Sequence, residues 1–260
     1  MRQLGPILLL AALALPVHAV VPASPTEWRE QFSQFIACRT HHDHRDGESP
    51  VDHWHAAPER AALGEFAVRC SAETLPVFIQ APHGFSDLET DGVARALFAQ
   101  GKFAALAING VPRYEGDQAH IDNASFQLAA GAFYKQTRGV VVQLHGFSPK
   151  KRRDPAARVA DLIISNGTRK STVATRKIAG CMKEIFPNVL VYPDDTSELG
   201  GTTNTVGHHL QSHGHDNFYH LEFSYEARQQ LVEDESRVKH LGNCLASIGQ
   251  ADIRPVAAAE

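Results

Sequence analysis

Two histidines close apolar runs and are each followed by glycine: His83 in Ala81-Pro82-His83-Gly84, and His145 in Leu144-His145-Gly146. Rigid backbone at such a strand end projects an imidazole into a cleft. Asp87 lies four residues beyond His83 and Glu89 six, so either carboxylate can turn back beside it. Two neutral imidazoles and one carboxylate form a common ligand set of hydrolytic zinc sites, with the fourth position left to water. Zinc bound there would polarise a scissile carbonyl and bring the pKa of that water down to about 7. The plainer alternative is a hydrogen-bonded structural histidine at each strand end.

Glu222 is the third residue of interest, a carboxylate inside the apolar segment Tyr219-His220-Leu221-Glu222-Phe223-Ser224. Burial raises a carboxyl pKa and a neighbouring cation lowers it. Such a group suits general-base work on a water and delivery of the proton to a leaving amine. A structural ion pair with Arg228 is the competing role.

The elements that position these residues alternate along the chain. Pro76–Gln80, Phe103–Ile108, Gly139–Leu144, Val159–Ser165, Val189–Tyr192 and Tyr219–Phe223 read as strands. Asp91–Gln100, Asn123–Tyr134, Thr172–Ile185 and most of Glu226–Ile248 read as helices. Gly200 to Asn217, rich in Gly, Thr, Asn and His, reads as a long loop, and His41 to His55 as a polar stretch between helices. The expected fold class is α/β, with a mixed, mainly parallel central sheet covered by helices on both faces. In such sheets sites form at the carboxyl ends of strands, where His83, His145 and Glu222 fall.

The 260 residues, 43% of them hydrophobic, suffice for one sizeable core. A net charge of −4 gives no reason to expect nucleic acid as a partner. The short run Lys150-Lys151-Arg152-Arg153 reads as a solvated loop. Residues 1–19 read as a signal peptide: Arg2, an apolar stretch from Ile7 to Leu15, and small residues in Val17-His18-Ala19. The apolar stretch is shorter than the roughly 20 residues that span a bilayer. A single catalytic domain over 20–260, periplasmic or secreted and without a membrane span, is therefore expected. Four cysteines without a Cys-x-x-Cys pair then suggest two disulfides; of the three possible connectivities, Cys38–Cys70 with Cys181–Cys244 is preferred because each pair ties neighbouring elements.

The order of these pieces resembles the zinc carboxypeptidase and N-formylglutamate amidohydrolase-like superfamily, which includes poly-γ-glutamate hydrolases. The matching segments are Pro-His-Gly at His83, Val-Gln-Leu-His-Gly at His145 and Leu-Glu-Phe-Ser at Glu222, within roughly Val77 to Leu231. The resemblance implies zinc as cofactor, held by His83, Asp87 and His145, with Glu222 as the catalytic carboxylate. Carboxypeptidases use His-x-x-Glu, a spacing met by neither Asp87 nor Glu89, and Asp87 is preferred. Ile121-Asp122-Asn123 falls where carboxypeptidases carry a substrate-binding Asp-x-Asn-Arg segment, but Ala124 follows Asn123. Asn123, Arg113 and Arg228 are the candidates for substrate binding, Arg113 because a guanidinium can clamp a carboxylate with two hydrogen bonds.

The implied reaction is hydrolysis of an amide or peptide bond in a peptide or acyl-amino-acid substrate. Two other classes compete. A serine hydrolase would need a nucleophile motif, and Gly-x-Ser-x-Gly is missing. Fifteen histidines, with His208, His209, His213 and His215 close together, leave open an exported metal-sequestering protein. An inactive hydrolase scaffold is the remaining alternative. Asp194 and Asp195 are further acidic residues after a strand that could face the site.

Overall fold

The computed structural model describes residues 24–37, 51–55, 64–70 and 73–251. The leader segment, His41 to His44, and the Cys38 half of one expected disulfide lie outside them. The other expected disulfide, Cys181–Cys244, is present.

Eight strands form one sheet. Across it run β1 (Val51–His55), β2 (Glu65–Arg69), β4 (Phe103–Ile108), β3 (Leu75–Ala81), β5 (Val140–Gly146), β8 (Phe218–Phe223), β6 (Leu162–Ser165) and β7 (Val189–Val191). The centre, β4-β3-β5-β8, is parallel throughout. Antiparallel joints lie at β1/β2, β2/β4 and β8/β6, and β6/β7 is parallel again. The sheet is therefore mixed with a parallel core, as the alternating pattern implied. β5 is buried from Val140 to His145, which is why its sequence is almost continuously apolar.

Helices cover both faces. On one side α2 (Thr90–Ala99), α5 (Val173–Met182), α7 (Tyr225–Glu233) and α8 (Glu235–Ala251) pack over Val77, Ile79, Val140, Val142, Leu144 and Leu221. On the other, α1 (Pro25–Ile36), α3 (Ser125–Thr137) and α6 (Thr205–Ser212) pack over Phe66, Phe78, Val141 and Phe218. A four-residue helix, α4 (Pro155–Arg158), lies beside a small third cluster with Phe147 and Ile163.

Two expectations are corrected. Val51–His55 is strand β1, paired antiparallel with β2. The expected loop from Gly200 to Asn217 contains helix α6, with Asn204 accepting hydrogen bonds from the Val206 and Gly207 amides at its start. The segment's Gly, Thr, Asn and His content pointed to a loop, and of these residues Gly207 is the poor helix former inside α6. It stands there because the Phe218 ring lies 2.9 Å from where a Cβ would sit.

Candidate active site

The face of the sheet that packs on α3 and α6 changes character along its strands. Alternation places Val141, Gln143 and His145 on that face of β5, and Phe218, His220 and Glu222 on the same face of β8. The two strands are in register, Gln143 opposite His220 and His145 opposite Glu222. β3 adds Phe78 and Gln80, with Gln80 opposite Gln143, and His83 follows just beyond its end. Aromatic packing at the bottom thus gives way to amides and then to imidazoles and a carboxylate at the carboxyl ends.

His83 and His145 meet there, both almost fully buried. Their Nδ1 atoms are 3.2 Å apart. Asp87 Oδ2 lies 3.4 Å from His83 Nδ1 and 3.7 Å from His145 Nδ1. Asp87 is brought back by a turn in which the amides of Ser86 and Asp87 both bond the His83 carbonyl. Glu89 instead precedes α2 and has no place in this group.

The far nitrogen of His83 is also held. Nε2 lies 2.9 Å from Asp117 Oδ1, and Asp117 further accepts hydrogen bonds from Arg113 Nε, the Ala119 amide and His120. These donors keep the Asp117 carboxyl well below its ordinary range against the opposing effect of burial. An ionised carboxylate only accepts, so His83 Nε2 carries a proton, and in the neutral ring Nδ1 presents a lone pair. Sequence reasoning missed Asp117. It lies in an irregular segment between β4 and α3, where periodicity offers no guide.

The Asp87 carboxyl is likewise depressed: burial opposes ionisation, and the imidazoles of His145 and His83 beside it outweigh that. Burial holds His145 down to about 4. Burial works against a charge on His83 too, but Asp117 and Asp87 raise its pKa.

Glu222 faces the same space. Ligand atoms of His145, His220 and Glu222 all lie within 4.8 Å of one another. Burial, reinforced by the negative charge of Asp87, pushes the Glu222 carboxyl up to about 8. Its Oε2 is buried without a hydrogen-bond partner. The ion pair weighed for Arg228 is not formed: the guanidinium donates from Nη1 to the Phe223 carbonyl at 2.8 Å, and its Nε is buried without a partner. Arg228 lies across Gly146, where an added Cβ would fall 1.7 Å from Nη1. The glycine after His145 is therefore a clearance for the guanidinium.

These groups line a cleft of about 780 Å³ together with Arg113, His120, Lys150, Lys151, Arg152 and Glu226, a size suited to a small-molecule or peptide-end ligand. Lys150, Lys151 and Arg153 are exposed as expected, but Arg152 is half-buried beside Glu198, and Lys150 to Arg152 form one rim of this cleft. Asn123 is not brought into it. Asn123 is exposed, adopts a left-handed φ of 58° and bonds through its amide to Gln127 ahead of α3. Asp194 bonds Ser171 and Asp195 bonds the Val191 amide, and neither lines the cleft. His209, His213 and His215 line a separate groove against α1 and α3, and His208 bonds the Thr202 carbonyl.

No protein-family model and no curated protein matches this chain. Solved structures do. N-formylglutamate amidohydrolase from Ralstonia eutropha aligns over 79% of this chain and 100% of that one, with 12% identity and a TM-score of 0.52. A gene product of Agrobacterium tumefaciens aligns over 75% and 96%, with 12% identity and a TM-score of 0.48. An aspartoacylase family protein from Mesorhizobium loti aligns over 78% and 70%, with 15% identity and a TM-score of 0.42. The first match shows that the chain shares its fold with that amidohydrolase.

Proposed function

We propose that this chain is a zinc-dependent hydrolase of amide or peptide bonds, exported by its leader to the periplasm or beyond the cell. The observation that carries the reading is the pair of imidazole Nδ1 atoms 3.2 Å apart, with Asp87 beside both. Two lone pairs facing at that distance repel unless a proton or a cation lies between them. Ligand atoms on a tetrahedral zinc with bonds of about 2.0–2.2 Å sit roughly 3.3–3.6 Å apart. The separations among His83, Asp87 and His145 fall close to that range, so the residues fit the ion.

Zinc held there would supply Lewis acidity, polarising the substrate carbonyl and easing deprotonation of a water. Glu222 takes the proton of the attacking water and passes it to the leaving nitrogen. The raised pKa of Glu222 in the metal-free protein fits a group that must hold a proton as well as release one. Arg228 lines the cleft, and its guanidinium binds the substrate's carbonyl or carboxylate oxygen. The basic rim of Arg113, Lys150, Lys151 and Arg152 favours a substrate with a free carboxylate, such as a peptide end or an N-acyl amino acid. The Cys181–Cys244 disulfide supports an oxidising compartment. Among the described residues no helix is long and apolar enough to cross a membrane.

Metal analysis of the purified chain, paired with a hydrolysis screen over N-acyl amino acids and short peptides, tests this. One zinc per chain is expected, lost in His145→Ala, with hydrolysis abolished by a chelator. Hydrolysis that survives complete zinc removal would overturn the reading.

A further inference from the structure

We infer that Gln143 is a positioning residue that fixes the tautomer of His145, through an amide relay anchored at two backbone sites on opposite sides of it. The inference rests on the proposed metal site only for its consequence. The tautomer itself follows from hydrogen bonds.

The first anchor is the Phe126 carbonyl in α3. A carbonyl only accepts, so the Gln80 side chain must turn its Nε2 toward it, at 3.2 Å. Gln80 Oε1 is then the atom that faces Gln143, and it accepts from Gln143 Nε2 at 2.8 Å. The Gln143 amide is thereby oriented with Oε1 toward His145. The second anchor is the start of α6. There the amides of Val206 and Gly207 donate to Asn204 Oδ1. That leaves Asn204 Nδ2 to donate to Gln143 Oε1, at 2.6 Å. Both routes specify the same atom of Gln143 as an acceptor.

His145 Nε2 lies 3.1 Å from that oxygen. It must therefore carry the ring proton, and Nδ1 must be the bare nitrogen that faces His83 and Asp87. All three amides are buried, so water cannot substitute for a lost partner at small cost. The wrong tautomer would leave an N–H aimed at the metal position and two acceptors confronting each other at Gln143. Groups that orient a ligating histidine in this way are worth about 10–100-fold in metal affinity.

The test reads the tautomer directly, by ¹⁵N chemical shifts of the His145 ring in the zinc-free wild type at a pH where His145 is neutral. Protonated Nε2 with bare Nδ1 is expected. In Gln143→Leu the ring should populate both tautomers and zinc affinity should fall about 10–100-fold. Gln143→Glu still accepts from His145 Nε2 but loses the donor to Gln80 Oε1, so it should keep the Nε2–H tautomer while lowering the melting temperature. Finding Nδ1–H in the wild type would overturn the inference, as would a Gln143→Leu protein with unchanged tautomer and unchanged zinc affinity. A wild type that shows the Nε2–H tautomer but binds no zinc would support the relay while refuting the metal site.

Discussion

Glu222 and His145 are register partners on neighbouring strands, and burial moves their proton equilibria in opposite senses. Between pH 4.5 and about 8, folded Glu222 keeps a proton that the unfolded chain releases. The folded state binds more protons there, so stability falls as pH rises. Between about 4 and 6.5 the unfolded chain protonates His145 and the folded chain does not, so stability rises with pH. The two effects oppose each other up to about pH 6.5. Above it the loss from Glu222 continues, joined by His83, whose raised pKa gives stability that disappears as its proton leaves. Calorimetry of the zinc-free protein should show the melting temperature falling from pH 6.5 to 8, with a shallower fall in Glu222→Gln. An unchanged slope in that variant would mean Glu222 ionises as an ordinary carboxyl. The same substitution should retain zinc and lower kcat about 10²–10⁴-fold, the usual worth of a general acid–base group. Zinc content and single-turnover rates measured on one sample check both halves.

At the scale of elements, the site depends on how β8 turns into α7. Ser224 accepts from the Ala227 amide and starts α7 directly after the strand, which carries Arg228 back over Gly146. Gly146→Ala should therefore displace the guanidinium and lower kcat/KM by about 10-fold or more, a loss of some 1.4 kcal/mol in transition-state stabilisation. In an Arg228→Ala background the same change should cost little, because residues in contact are non-additive. Equal penalties in both backgrounds, measured in a double-mutant cycle, would show that Arg228 does not act through this contact. The strands bearing His145 and Glu222 were legible because each holds a short apolar run, Val140-Val141-Val142 before Gln143-Leu144 and Phe218-Tyr219 with Leu221 and Phe223. The role of Gln143 was not legible, since one amide on a buried strand acquires meaning only beside Gln80 and Asn204. Nor was Asp117, whose partners His83, Arg113 and His120 converge through an irregular loop. Helix α6 was concealed by the Gly-, Thr-, Asn- and His-rich composition around it, and the reason for Gly207, the Phe218 ring, is a long-range contact.

Across the whole molecule, the sheet separates the chemistry from the covalent clamp. His83, His145 and Glu222 stand at the carboxyl end of the face that packs on α3 and α6. Cys181–Cys244 ties α5 to α8 on the opposite face, closing a separation of 63 residues. A cross-link of that kind acts chiefly by restricting the unfolded chain, typically by about 2–4 kcal/mol. Replacing both cysteines by serine should thus lower stability by about that amount without touching the zinc ligands. Zinc acts on the other side of the same equilibrium, by binding the folded state. At a free concentration 100 times its Kd it should add about 2.7 kcal/mol. If sheet and cores hold the two ends independent, zinc should add the same increment to wild type and to Cys181→Ser/Cys244→Ser. It should add none to His145→Ala. Denaturant titrations of the three proteins with and without zinc measure all of these at once. A smaller zinc increment in the serine double mutant would mean that the α5–α8 clamp helps hold the strand ends in ligating position, and that the two faces are one mechanical unit.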